Sequence, residues 1–106
     1  MAPNSRWLHT SGIPRLDEDG NLPEGIFEQS ELVWQNIFVA LEKGGMKLSD
    51  LEKTVSYLTR QEDIPAFVKV RAKYLGDIRA AQMLLLTPGF LNSGFLVEVE
   101  AYAAAP

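Results

Sequence analysis

The chain contains no cysteine, which excludes disulfides, thiolate metal sites and cysteine nucleophiles. Its single histidine, His9, has no carboxylates at ligand spacing beside it, so no metal centre is expected. No apolar run approaches the ~20 residues of a membrane span, and the N-terminus lacks the apolar core of a secretory signal. A cytoplasmic location away from membranes is the expectation. Basic residues form no run and the net charge is −4 at pH 7, so no nucleic-acid surface is expected. No glycine-rich phosphate loop is present, because Gly44-Gly45 follows an apolar-periodic segment instead of opening one.

What the chain does contain is ordinary globular material. With 106 residues, 46% of them apolar and 23% charged, it is expected to form one domain over residues 1–106 with one modest core. The clearest pattern is the last one. Val97-Glu98-Val99-Glu100-Ala101 alternates with the period of a strand that has one dry and one wet face. Val97, Val99 and Ala101 are predicted to face the core, and Glu98 and Glu100 the other side.

Upstream, Trp7-Leu8-His9-Thr10 reads as a short strand closed by Ser11-Gly12 and Pro14. Residues 17–21 read as a surface turn, since the downstream glutamate of a calcium loop is missing. After Gly25 a helix is predicted to run to about Lys43, with Val33, Ile37 and Leu41 as its apolar stripe. Trp34 and Phe38 widen that stripe and are read as core, and Gly44-Gly45 ends it. Ser49 and Glu52 fit a capping box for a short helical turn at Asp50, followed by a strand over 54–59. Asp63 is placed to cap a second helix with Pro65 in its first turn and Gly76 at its end. Phe67, Val70, Tyr74 and Leu75 form its apolar face, while Lys69, Arg71 and Lys73 read as solvated. Residues 80–87 are apolar apart from Gln82 and Thr87, which predicts a strand buried on both faces.

Strand, helix, strand, helix, strand, strand makes an α+β fold with two helices on one face of a mixed sheet. The other face stays open and carries apolar residues, which favours burial against further copies of the chain. The chemistry available there is Ser11 beside Gly12, Glu98 or Glu100, and Arg79 near the sheet. An arginine forks onto a carboxylate, and a carboxylate holds water for proton transfer. Solvated glutamates and an exposed arginine would look the same in sequence.

Several segments in this order resemble the Rid family, also called YjgF or endoribonuclease L-PSP. They are Thr10-Ser11-Gly12-Ile13-Pro14, residues 19–23, Gln29, Asn36-Ile37 before Leu41, Gly44-Gly45, residues 48–54, Phe67 and Val97–Ala103. The resemblance implies a chorismate-mutase-like fold and a homotrimer with a central barrel and ligand clefts between subunits. It also implies hydrolysis of reactive enamines and imines to 2-oxo acids and ammonia, without metal or cofactor. The first glutamate of the family's Glu-x-Glu-Ala motif, here Glu98, would serve the water or the nitrogen. Ser11-Gly12 would be the turn near the cleft. Two departures stand out: the family's N-terminal strand has no counterpart, and its Pro-Ala-Arg motif is absent. Counting back from Glu98 with one extra loop residue, Ala81-Gln82 falls where Ala-Arg belongs, and Arg79 lies a few residues earlier. Gln82 can hydrogen-bond a carboxylate but cannot neutralise it. Two hypotheses therefore stand together: an enamine/imine deaminase using Glu98 with Arg79 or Gln82, and a non-catalytic small-metabolite binder. A pure interaction module ranks third, and ribonuclease activity last because the chain is acidic and has no basic groove.

Overall fold

The computed structural model describes residues 6–10, 19–90 and 94–105. In chain order these form β1 (Arg6–His9), α1 (Ile26–Lys43), β2 (Leu51–Leu58), α2 (Ile64–Leu75), β3 (Ala81–Leu86) and β4 (Val97–Ala105). Short 3₁₀ turns precede β2 at Leu48–Asp50 and α2 at Gln61–Asp63. The sheet order is β1-β4-β2-β3, with β2 and β3 parallel and the other pairs antiparallel. This is the α+β architecture expected. No helix among the described residues is long and apolar enough to cross a membrane.

Alternation along β4 holds for its full length. Val97, Val99, Ala101, Ala103 and Ala105 are buried beneath the helices, and the residues between them lie on the opposite face. The helices supply Val33, Trp34, Ile37, Leu41, Phe67, Val70 and Leu75 to that core. The α1 end is closed by both bonds of a left-handed cap: Met46 N–H donates to Leu41 O at 2.8 Å and Gly45 N–H to Glu42 O at 3.0 Å. Gly45 carries the positive φ of 71° this cap requires. Gly44 serves a different need, since a Cβ there would lie 2.8 Å from Leu8 Cδ1 of β1.

Four expectations are corrected. Phe38 is not core: it is 43% exposed and sits with Val39, Leu48 and Tyr74 along an apolar groove on the helices. Ser49 caps nothing; Asp50 accepts from the Lys47 backbone N–H at 2.9 Å, and β2 begins at Leu51, three residues earlier than predicted. Asp63 stands at the start of α2 but its carboxylate takes a two-pronged ion pair from Arg60 at 2.8 and 3.0 Å. The largest difference is β3. It is a sheet edge, with Met83 49% and Leu86 51% exposed, instead of a strand buried on both faces. One chain does not supply the cover that its composition calls for.

Under the helices the core also holds hydroxyls. Thr54 and Ser56 of β2 are fully buried, and their side-chain oxygens have no hydrogen-bond partner among the described residues. Removing a buried, unpaired hydroxyl without changing its shape relieves desolvation. Thr54→Val is therefore expected to stabilise the protein by about 1 kcal/mol, a rise of roughly 4–8 °C in Tm. A lower Tm in a calorimetric scan would show that the hydroxyl has an essential partner.

Candidate functional site

The face of the sheet away from the helices carries the polar groups. Register fixes who meets there: Trp7 pairs with Ala104, His9 with Tyr102, Val55 with Glu100 and Tyr57 with Glu98. Because side chains alternate, Tyr57, Glu98, Glu100 and Tyr102 share one surface. Glu100 is held at both oxygens. Tyr57 Oη donates to Oε1 at 2.6 Å and Tyr102 Oη to Oε2 at 2.8 Å. The same hydrogen bonds raise both phenols above the ordinary tyrosine pKa, with the negative charge of Glu100 acting in the same direction. Around Tyr102, Lys53 Nζ lies 5.8 Å from the ring centroid and His9 packs edge-on at 5.0 Å. Trp7 meets the other side of His9 at 6.2 Å.

This cluster separates the two glutamates that the sequence left equivalent. Glu100 is a fixed acceptor in the middle of the face. Glu98 sits one step nearer the entrance of β4, close enough to Tyr57 for its charge to raise that phenol further. At this end of the sheet Thr59, Arg60, Pro88, Phe90, Phe95 and Leu96 line a cleft of about 490 Å³. Its cation is already committed, since Arg60 pairs with Asp63. The signal for the tyrosines was present in the sequence: Tyr102 follows Glu100 by two residues, and Tyr57 lies in an alternating strand.

The other predicted site residues lie elsewhere. Tyr57 pairs with Glu98 on one side and with Leu85 on the other. Arg79 precedes Leu85 by six residues, on the order of 20 Å along the sheet at ~3.3 Å per residue. It is exposed, at the entrance to β3. Gln82 pairs with Thr54, which is buried beneath the helices, so Gln82 lies on the face opposite Glu98. A single chain therefore does not bring Glu98 together with either Arg79 or Gln82. Ser11 and Gly12 fall outside the described residues.

Gln82 belongs instead to two adjoining hollows between α2 and β3. One, of about 410 Å³, is lined by Val68, Arg71, Leu75, Ile78, Ala80 and Gln82 among others. The second, of about 370 Å³, adds Asp77 and Arg79. Arg71, read as solvated in sequence, is half-buried here, and burial lowers the pKa of its guanidinium.

Known proteins share this fold. A RutC family protein of Pyrococcus abyssi is 33% identical over 92 residues, which cover 86% of this chain and 72% of the relative. The structure of YEO7 from yeast superposes with a TM-score of 0.88 at 29% identity, covering 94% of this chain and 80% of that one. Escherichia coli TdcF, solved with bound serine, has a TM-score of 0.88 at 19% identity and covers 100% of this chain and 85% of its own. At that identity the likeness to TdcF is one of fold. The endoribonuclease L-PSP family profile matches residues 2–105. With one family pattern running through nearly the whole chain and the same sheet recurring in its relatives, the chain belongs to the endoribonuclease L-PSP family, known also as Rid or YjgF.

Proposed function

We propose that the protein is an enamine/imine deaminase, hydrolysing a small 2-amino-enoate or 2-imino acid in a cleft shared by neighbouring copies of the chain. The observation that carries this reading is the division of labour along the sheet. Glu98 stands at one end of the open face, and the donors for a substrate carboxylate, Arg79 and Gln82, stand at the far edge. Copies packed through the open faces and the β3 edges, as a homotrimer, would bring one chain's Glu98 to another chain's donors. The exposed apolar residues of those surfaces, Trp7, Met83, Leu85 and Leu86, support such packing.

In this cleft the reaction needs little machinery. An enamine first tautomerises to the imine. Glu98 then takes a proton from water as the water oxygen bonds to the imine carbon. That proton passes to the nitrogen, and the carbinolamine hydroxyl then gives its own proton, through Glu98, to the nitrogen as the C–N bond breaks, releasing ammonia and leaving the 2-oxo acid. Arg79 or Gln82 holds the acid end, fixing the reacting carbon against the water. Ser11-Gly12 would border the cleft, as the family resemblance implies.

A second reading, a non-catalytic metabolite-binding member of the family, draws on the neutral amide of Gln82 where the family has an arginine. It draws also on the serine bound in TdcF. Ammonia release from enzymatically generated 2-aminoacrylate separates the two. The wild type is expected to accelerate release, and Glu98→Gln to lose at least about 100-fold of that acceleration, the usual scale for one acid–base group. No acceleration by the wild type would leave the binding reading in its place.

A further inference from the structure

The hollow between α2 and β3 contains a cation that nothing described so far uses. Arg71 projects from α2 one helical turn after Phe67, whose ring is fully buried, and its guanidinium carbon lies 5.6 Å from that ring's centroid. Stacking of this kind fixes the plane of a guanidinium and leaves its edge donors available. Two other cations, on and just before α2, are more exposed and already paired: Lys73 with Glu31 at 2.6 Å and Arg60 with Asp63 at 2.8 Å. Arg71 has no ion-pair partner among the described residues. A guanidinium that is taken partly out of water and given no carboxylate is poised for an anion.

The same hollow supplies the remaining contacts. Gln82 lines it from β3, on the helix-covered side of the strand, and offers a neutral amide. Val68, Leu75, Ile78 and Ala80 make the rest of its wall aliphatic. The adjoining hollow carries Asp77 as well as Arg79, so the surroundings combine two positive charges with one negative one. That balance suits a monoanion and disfavours a second negative charge on the ligand. The volume of about 410 Å³ lies at the small end of ligand sites.

We infer that Arg71 and Gln82 together bind the carboxylate of a small aliphatic monoacid, the charge coming from helix α2 and not from β3. Gln82 needs no charge of its own when Arg71 lines the same hollow. This deepens the proposed function, and rests on it only in taking the Gln82 cleft as the substrate's.

Isothermal titration of the intact protein with butanoate and with its neutral isostere butanamide tests the assignment. Butanoate is expected to bind at least tenfold more tightly than butanamide, since one of its hydrogen bonds is charge-assisted. Arg71→Gln is expected to weaken butanoate at least tenfold, and Arg71→Lys less. Gln82→Leu, at an exposed edge position where folding is not at stake, should weaken it severalfold. Unchanged affinity in Arg71→Gln, equal affinity for acid and amide, or no binding by the wild type would each overturn the inference. Binding that depends on Arg71 without ammonia release removes the deaminase reading and leaves this site. Ammonia release indifferent to Arg71→Gln does the reverse.

Discussion

Gln29→Glu is expected to remove a large part of the protein's stability, although it changes a single atom. Gln29 lies in the first turn of α1 and is only 1% exposed. Its Nε2 donates to Pro23 O at 3.0 Å and to Gly94 O at 2.9 Å, and its Oε1 accepts from Leu96 N–H at 2.8 Å. One side chain thus ties the segment before α1 and the loop before β4 to the core. A glutamate can keep the bond from Leu96, but its second oxygen would confront two carbonyls. The ionised form would be buried and repelled, at a cost of about 3–5 kcal/mol. Small domains have about 5–15 kcal/mol in all.

The sign with pH follows. Burial and the two carbonyls disfavour the charged form, so the introduced carboxyl has a folded pKa above its unfolded one. Stability then recovers as pH falls and the folded state binds the proton. Urea unfolding followed by the fluorescence of buried Trp34 should show a midpoint lowered by about 2 M near pH 8, with part of the loss restored near pH 5. Gln29→Met, which loses the bonds without adding a charge, should be destabilised at both pH values alike. A Gln29→Glu midpoint within about 0.5 M of wild type at the higher pH would contradict this account of the clamp.

The clamp also shows where sequence reading succeeds and where it stops. Gln29 was noticed as part of a family resemblance, yet its role depends on Gly94 and Leu96, more than sixty residues away. Local patterns were legible wherever one chain determines the environment. The alternation of Val97–Ala101 named the buried face of β4, and the glycine pair 44–45 marked the end of α1. Patterns failed where the environment comes from elsewhere. The run at 80–87 records how apolar its surroundings are meant to be, and not which molecule provides them. It was therefore read as an interior strand, while in the chain it is an edge. Phe38 misled in the same way, being apolar at helical spacing but exposed.

The candidate site divides along the same line. Glu98 was legible because a strand's wet face is visible in its period. Its distinction from Glu100 was not, because it depends on Tyr57 and Tyr102 occupying both oxygens of one carboxylate. Arg71 looked like one of three solvated charges on α2. Only the tertiary fold gives it a half-buried place in the hollow that Gln82 also lines. The separation of Glu98 from Arg79 and Gln82 was invisible as well, since it is a matter of sheet order and register.

That separation yields the second large expected effect. If Glu98 acts on a substrate whose acid end another copy holds, two variants that are each inactive can complement one another. Glu98→Gln keeps its carboxylate-binding side, and a triple Arg71→Gln, Arg79→Gln, Gln82→Leu variant keeps Glu98. Each alone should lose at least about 100-fold in ammonia release, through the missing acid–base group or the misplaced substrate. Unfolded together in equal amounts and refolded, they form mixed oligomers. With random assembly, about a quarter of the clefts in such a mixture combine an intact Glu98 with an intact set of donors.

The measurement that tests the account most directly is therefore ammonia release by this co-refolded mixture, compared with each variant refolded alone. Recovery to about a quarter of the wild-type rate is the predicted result, and it would locate the site between copies. A mixture no more active than its parents, alongside an active refolded wild type, would contradict a shared cleft and place the chemistry within one chain.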